Sequence, residues 1–158
     1  MLTWTEFQQA RPDLAAAGRS QLYQWDVGLG FLATVRVDGG PRVHPICPVL
    51  NGDGLYALIV PGPKLYDLRR DPRYALHTDT RPPPRHDDGF YITGSVKAVE
   101  DPTIRRRVVE QFVAERAGAN VPAPDETQVL YEFLLDRALL TLTLDDGGLP
   151  QGHTVWSA

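Results

Sequence analysis

One lysine occupies a position where proteins commonly bind phosphate. Lys64 is one of two lysines among 16 basic residues, and it follows the strand-like segment LYALIV after Pro61, Gly62 and Pro63. If a helix begins at Pro63, its first amide groups have no intrahelical partner and its dipole favours an anion. A lysine adds a full positive charge at the same end, so the segment predicts a phosphate site. The alternative is a lysine that points to solvent from a strand-to-helix turn.

The other reactive side chains form no recognisable catalytic or metal-binding motif. His44 and Cys47 are three residues apart, which places them on opposite faces of one strand. Cys47 is the single cysteine, so an internal disulfide is excluded, and a small buried hydrophobe is its commoner role. We predict no metal site and assign no catalytic residue, although His44 would titrate near neutral pH. The four histidines of the chain, none of which forms a close pair with another, are His44, His77, His86 and His153.

The length and charge of the chain limit its class. At 158 residues we expect a single domain, 1–158, with an N-terminal helical segment, 1–27, packed on it. The net charge of -4 argues against nucleic-acid binding, which usually needs a basic excess. No apolar run approaches the roughly 18 residues that span a bilayer, and no secretory signal is recognisable. We therefore expect a cytoplasmic protein without a membrane partner.

The elements that must position Lys64 begin with two hairpins. Asp38-Gly39-Gly40 and Asn51-Gly52-Asp53-Gly54 each separate strand-like runs, and glycine there supplies the positive φ of tight turns. Side chains alternate between the two faces of a strand. One face of the first hairpin is therefore apolar, while the other carries Thr34, Arg42 and His44 among its polar residues.

Helices lie before and between the strands. Asp13 is predicted to cap the second of two N-terminal helices. A further helix follows Gly62 and must end near Asp71, because Pro72 disfavours helical geometry in the residue before it. The clearest helix is DPTIRRRVVEQFVAERAG, in which Asp101 caps the first turn. Its predicted buried stripe consists of Ile104, Val108, Val109, Phe112 and Val113.

Further strands complete a mainly β pattern. The segments RYALHT, GFYITGSVKAVE, VLYEFLLDRALLTLTL and HTVWSA are typical of strands, the third of them of one or two. Gly94, inside the second of these segments, indicates a bulge or the close approach of a backbone or a ligand. We predict a mainly β (α+β) fold of six to seven mostly antiparallel strands, closed into a small barrel with flanking helices.

This order of segments resembles the pyridoxamine 5'-phosphate oxidase-like family of flavin-binding split β-barrels. The similarity spans about residues 20–158 and is most specific in the first hairpin and in the block from Lys64 through Asp71-Pro72-Arg73. The resemblance implies an antiparallel split β-barrel that forms a homodimer and holds flavin mononucleotide (FMN) between two barrels. It also implies an oxidoreductase that transfers hydride or electrons between FMN and a small organic substrate.

The resemblance further implies which residues contact the cofactor. The second strand would lie along the flavin ring through Val43, His44, Pro45 and Ile46. The end of the third strand and the lysine after it would hold the phosphate through Val60, Pro61, Lys64 and Leu65. Arg42 would contact phosphate or ribityl oxygens, or else pair with acidic residues at the dimer interface. Trp156 would reach the cofactor or the partner subunit, or else close the barrel as a core residue.

One departure from the family pattern concerns the phosphate site. Many relatives have a serine or threonine just before the phosphate lysine, where this chain has VPGPK. Proline lacks both the hydroxyl and the amide donor. The alternatives that remain are a deazaflavin-dependent reductase and a non-enzymatic module that binds flavin or haem.

Overall fold

Alternating side chains and glycine turns fold the chain into one antiparallel sheet that curls into a split barrel. The computed structural model describes residues 1–83, 85, 87–119, 121–143 and 152–158. Within them the strands are β1 (Gly30–Val35), β2 (Pro41–Ile46), β3 (Val49–Asn51), β4 (Gly54–Ile59), β5 (Arg73–Thr78), β6 (Gly89–Ala98), β7 (Val129–Leu142) and β8 (Gly152–Ser157). The helices of the same residues are α1 (Trp4–Ala10), α2 (Pro12–Leu22), α3 (Pro63–Arg70) and α4 (Pro102–Ala114). The predicted fold class is confirmed.

Strand β7 connects the sheet, because three other strands pair with it. The sheet order is β2-β1-β5-β6-β7-β4-β3, with β8 also paired to β7. One edge of β7 pairs with β6. At the other edge, residues 129–132 pair with β4 and residues 137–142 pair with β8. The end strands β2 and β3 follow each other in the chain, so both ends of the sheet meet at the short connection between them.

The described part of the chain has eight strands rather than six or seven, because one predicted strand is divided. The sequence predicts a continuous strand from Arg42 to Val49. Pro48 has no amide donor, and it separates β2 from β3. Both predicted glycine turns are present, with φ of 81° at Gly39 and 53° at Gly52.

Gly94 occupies a bulge in β6. The pairing of β6 with β7 shifts in register between Thr93 and Gly94. A Cβ atom on Gly94 would lie 1.8 Å from the carbonyl oxygen of Leu134, a separation that no side chain permits. The interpretation of this glycine as a bulge is therefore confirmed.

The N-terminal helices contribute to the same core as the strands. The core members from these helices include Trp4, Phe7, Leu14 and Leu22. The predicted Asp13 cap is wrong, because α2 already begins at Pro12 and its N-cap residue is Arg11. The Asp13 carboxylate instead accepts two hydrogen bonds from the Arg11 guanidinium.

Helix α4 begins as predicted but buries a narrower stripe. The Asp101 carboxylate accepts hydrogen bonds from the amides of Thr103 and Ile104 at 2.7 and 3.3 Å, which confirms the cap. Val108 is fully buried, in a small cluster with Val49, Tyr56 and Leu130. Val113 is 44% exposed, so its predicted place in the buried stripe is wrong. Phe112 is only partly buried.

The β1–β2 hairpin turns its apolar face outward. Leu32 pairs in register with His44, and Thr34 with Arg42. Leu32 and Thr34 are buried, so this partly polar face lies inside the barrel. The opposite face consists of Phe31, Ala33, Val35, Val43 and Pro45. Phe31 and Val43 are 41% and 61% exposed, so the outer side of the hairpin is a largely apolar surface.

The described residues contain neither a membrane-spanning helix nor a cluster of metal-binding side chains. No helix there combines the length and apolarity that crossing a membrane requires. No group of three or more His, Cys, Asp or Glu side chains is arranged to hold a metal ion in the same residues. His86 lies outside the described residues.

Candidate functional site

A cleft of about 350 Å³ lies where the ends of β2 and β4 meet the start of α3. Helix α4 and the segment that follows it, residues 121–128, form its far side. Four residues predicted to contact a cofactor line this cleft: Pro45, Ile46, Val60 and Lys64. The remaining lining residues are Cys47, Leu58, Phe112, Val121, Pro122, Ala123, Pro124, Asp125 and Gln128. Its size is within the usual range for a small-molecule site.

Lys64 lies in the first turn of α3, as predicted. The helix begins after Gly62, no side chain caps it, and its first internal hydrogen bond joins the Tyr66 amide to the Gly62 carbonyl at 3.1 Å. The amides of Lys64 and Leu65 precede that bond and remain available to an anion. The Leu65 side chain is buried, so this residue offers its backbone rather than its side chain to the cleft.

The Lys64 ammonium has no counter-ion within the described residues. It forms no hydrogen bond or ion pair with any of them. Burial lowers the pKa of Lys64, and the nearby Cys47 has a smaller opposing influence. A partly buried, unpaired cation at a helix N-terminus costs stability, because it lacks both hydration and a partner. A bound anion would remove that cost.

Asp67 fixes α3 to the hairpin from inside the barrel. Its Oδ2 accepts hydrogen bonds from Thr34 Oγ1 at 3.0 Å and from Arg42 Nε at 2.7 Å, and Arg70 lies 3.6 Å from Oδ1. Burial acts to raise the pKa of Asp67, but the hydrogen bonds from Arg42 and Thr34 outweigh it and the pKa is lowered. Arg42 therefore has an acidic partner within its own chain.

His44 lies on the same inner face and lacks a partner at one ring nitrogen. Its Nε2 is buried and forms no hydrogen bond with a described residue. Burial is the main cause that lowers the pKa of His44, and the positive charges of Lys64 and Arg42 lower it further. Asp67 acts in the opposite direction. The side chain is therefore held neutral between α3 and β2.

The other predicted contacts lie around the cleft or away from its lining. Val43 faces outward from β2, on the apolar surface of the hairpin. Pro61 is exposed in the turn before α3. Trp156 lies against the main core, where its ring centroid is 4.9 Å from that of Phe7. It is not among the cleft residues, and this position corresponds to its alternative interpretation as a residue that closes the barrel.

The far side of the cleft was not predicted from the sequence. Phe112 contributes an aromatic side chain from α4, and the prolines and small apolar residues of 121–124 continue the same wall. Arg105 holds this segment to the helix by donating to the carbonyls of Asp125 at 2.7 Å and Gln128 at 2.9 Å. The VPAP sequence carried no recognised motif, so only its spatial position associates it with the site.

A partly buried polar network adjoins Phe112 of this wall. Glu115 accepts hydrogen bonds from Tyr23 Oη at 3.2 Å, from Gln111 Nε2 at 2.7 Å and from Arg116 Nη1 at 3.2 Å. Tyr23 Oη also accepts from the Leu50 amide at 2.8 Å. Burial is the main cause that raises the pKa of Tyr23 to about 12. The network joins α4 to β3 and to the end of α2.

The fold is that of the antiparallel split barrels, a class of protein to which this chain therefore belongs. In this chain a cleft lies beside the start of an uncapped helix. The sequence pattern of one family in this class, pyridoxamine 5'-phosphate oxidase, matches residues 26–147. The chain belongs to the pyridoxamine 5'-phosphate oxidase family. No curated protein sequence matches it.

Solved structures support the fold at low sequence identity. A haem-binding protein from Mycobacterium smegmatis matches 90% of this chain with a TM-score of 0.66 and 16% identity, and the chain spans only 57% of that protein. An F420 reductase matches 75% of this chain and 94% of its own, with a TM-score of 0.58 and 21% identity. An FAD-binding protein from Mesorhizobium loti matches 70% and 82%, with a TM-score of 0.57 and 20% identity.

Proposed function

We propose that this chain binds FMN in the cleft, with the phosphate at the start of α3, and transfers hydride or electrons between FMN and a small organic substrate. The observation that carries the proposal is that the Lys64 ammonium, beside two free helix amides, has no partner among the described residues and shares one cleft with Pro45, Ile46 and Val60. A dianionic phosphate is the ligand that best compensates such a group. Family membership agrees with this proposal.

The residues of the cleft fit the two parts of a flavin nucleotide. Lys64 and the amides of Lys64 and Leu65 would bind the phosphate, while Pro45 and Ile46 at the end of β2 would lie along the ring. The flavin, once bound, supplies the redox chemistry. The chain orients the ring and excludes water with its apolar lining. His44, held neutral beside Lys64, adds no further positive charge to the phosphate end at neutral pH.

The VPGPK turn makes a deazaflavin the alternative cofactor. Neither Pro61 nor Pro63 can donate an amide hydrogen bond, so the site offers fewer phosphate donors than a serine-containing turn would. One structural neighbour is an F420 reductase. We propose FMN first, because the lysine and the free amides both lie at the start of α3, which borders the cleft.

The apolar outer face of the hairpin supports a homodimer as part of the proposal. Phe31, Val43 and Pro45 lie side by side on this face, and Ala33 pairs with Ala75 of β5 to extend it. A second copy of the chain would bury these side chains and place a second subunit next to β2. Val43→Glu should convert the dimer to a monomer in sedimentation analysis. Val37→Glu, at an 84% exposed turn residue, should not.

A non-enzymatic binding module is the second candidate function. The lining of the cleft is mainly apolar, and its titratable side chains are Lys64, Cys47 and Asp125. Asp125 already accepts hydrogen bonds from the amide and hydroxyl of Thr127. A haem-binding protein is among the structural neighbours. Turnover that depends on a reductant would support the enzyme and oppose the binding module.

An absorption and fluorescence titration of the cofactor-free protein tests the proposal directly. FMN, a deazaflavin and haem are titrated in parallel. Saturation by FMN at one equivalent per subunit is the expected result. Preference for the deazaflavin or haem would replace FMN in the proposal, and the absence of saturation by any of the three would contradict it.

A further inference from the structure

Phe112 has a position in the cleft that its place on α4 alone would not indicate. Its side chain lines the cleft opposite the elements that carry the phosphate site, and part of it packs against the small cluster around Val108. The Arg116 guanidinium carbon lies 4.0 Å from the centre of the Phe112 ring. The Arg116 cation thus covers one face of the ring. The remaining surface of the ring contacts the Val108 cluster and the cleft.

Arg116 holds this arrangement in one orientation. It is only 8% exposed. Its guanidinium donates to the carbonyl of Phe112 at 3.2 Å, to the carbonyl of Gly28 at 3.3 Å and to Glu115 at 3.2 Å. Because all three acceptors are fixed by the backbone or by the Glu115 network, the ring has little freedom to turn. A ligand that contacts it would lose little further entropy in ordering the ring.

The rest of the wall is fixed in a similar way. Arg105 donates to two carbonyls of the 125–128 segment, and Pro122 and Pro124 restrict the backbone before it. Pro122 and Pro124 add apolar lining, whereas Asp125 and Gln128 add polar atoms. Lys64, which has no partner among the described residues, supplies a positive charge on the other side of the cleft. The cleft therefore presents a fixed, mainly apolar wall that includes the Phe112 ring at one side and a cation at the other.

We infer that Phe112 is a specificity-determining contact that selects ligands with a planar conjugated ring and one anionic group. This inference rests on the proposed function in that both place a ligand in the same cleft. Aromatic rings gain from contact with one another beyond their buried area, and a positioned phenyl ring discriminates them from aliphatic phosphates of similar charge. The planar ring can belong to the flavin or to an aromatic substrate, and the chemistry is shared.

Equilibrium titrations of the full chain with four probes test this inference. The probes are FMN, riboflavin, 2-naphthoate and glycerol 3-phosphate. The variants are Phe112→Leu and Phe112→Met, which remove the aromatic ring, and Phe112→Trp, which keeps one. Val113→Ala is the matched control, since Val113 neighbours Phe112 on α4, is 44% exposed and does not line the cleft. Two aliphatic variants are used so that a folded one is available.

The expected result is a loss of affinity for planar probes alone. Leu and Met should weaken binding of FMN or 2-naphthoate about 2- to 10-fold, as expected for one aromatic contact, and leave glycerol 3-phosphate unchanged. Trp should retain wild-type affinity. A loss for FMN and riboflavin assigns the contact to the cofactor ring, whereas a loss for 2-naphthoate measured in the presence of FMN assigns it to the substrate.

The outcomes separate this inference from the proposed cofactor. If the Phe112→Leu and Phe112→Met variants bind FMN as tightly as the wild-type protein and quench flavin fluorescence equally, the inferred role of Phe112 is overturned. The proposed function still stands in that case. Wild-type protein that binds 2-naphthoate in a Phe112-dependent manner but binds no flavin overturns the cofactor and supports the contact. Wild-type protein that binds no planar probe overturns both.

Discussion

The two sides of the cleft differ in whether their polar side chains have hydrogen-bond partners. On the α4 side, Glu115 receives hydrogen bonds from Tyr23, Gln111 and Arg116. On the α3 side, Lys64 has no partner among the described residues, and the buried Nε2 of His44 has none either. A buried polar group without a partner costs free energy that a satisfied network does not. The satisfied polar groups of the α4 side therefore stabilise the fold, whereas the unsatisfied groups of the α3 side carry a cost that the proposed ligand would remove.

The largest expected effect comes from a substitution in the Glu115 hydrogen-bond network on the α4 side. Arg116→Ala removes three hydrogen bonds and the cation over Phe112, and it leaves the Glu115 charge without its cationic partner. We expect a loss of about 3 kcal/mol in the free energy of unfolding, measured by urea denaturation. Arg106→Ala, at an exposed position of the preceding helix α4, should change the free energy of unfolding by less than about 0.5 kcal/mol. Equal effects of the two changes would show that the network is not stabilising.

The next largest effect concerns Asp67, a residue of α3 whose carboxylate accepts hydrogen bonds from Thr34 and Arg42. Asp67→Asn weakens the hydrogen bonds from Arg42 and Thr34 and should cost about 2 kcal/mol at pH 7. The folded-state pKa of Asp67 lies below the ordinary value of 3.8. Its contribution is therefore complete above pH 3.8 and is lost as pH falls through the lower folded value. Acid denaturation curves should show this component in the wild-type protein and not in the variant.

Lys64→Ala should affect binding and stability in opposite directions. FMN affinity should fall at least about tenfold, because a charge-assisted contact to phosphate is lost. The free energy of unfolding should stay within about 0.5 kcal/mol of wild type or rise, since the removed cation opposes the helix dipole. Lys97→Ala, the other lysine and an exposed one, is the control. Equal FMN affinity in both variants would remove Lys64 from the site.

The smallest expected effect is the pH response of His44. Its folded-state pKa lies below the ordinary value of 6.5. The stability associated with the neutral ring is complete above pH 6.5 and is lost as pH falls toward the folded value, because the unfolded chain takes up the proton first. His44→Gln should flatten the stability curve below pH 6.5. A variant that follows the wild-type curve throughout that range would assign the pH response to other groups.

The α3 side was predictable from the sequence because its signals are local. The Pro-Gly-Pro turn, the start of the helix and the end of β4 lie within a few residues of Lys64, and Pro45 and Ile46 line the same cleft as Val60 and Lys64. Resemblance to the family supplied the rest of that prediction.

The α4 side was not predictable, because its contacts join distant parts of the chain. The Tyr23 and Glu115 side chains that share a hydrogen bond are 92 residues apart, and Arg116 and the Gly28 carbonyl that accepts from it are 88 residues apart. Helical periodicity placed Phe112 and Val113 together in a buried stripe. It could not show that α4 covers only a small cluster beside β3, which leaves Val113 exposed and Phe112 in the cleft.

The pairing of β7 also determines when this cleft can exist during synthesis. Strand β4, which contributes Leu58 and leads to Val60 and Lys64, is held at one edge by residues 129–132 of β7. All of α3, β5, β6 and α4 is translated between these partners. A ribosome-bound chain that ends before β7 therefore has an unpaired β4 edge and no assembled cleft. Uptake of the proposed cofactor would therefore be a late event that follows completed folding, and such incomplete chains are exposed to edge-to-edge aggregation.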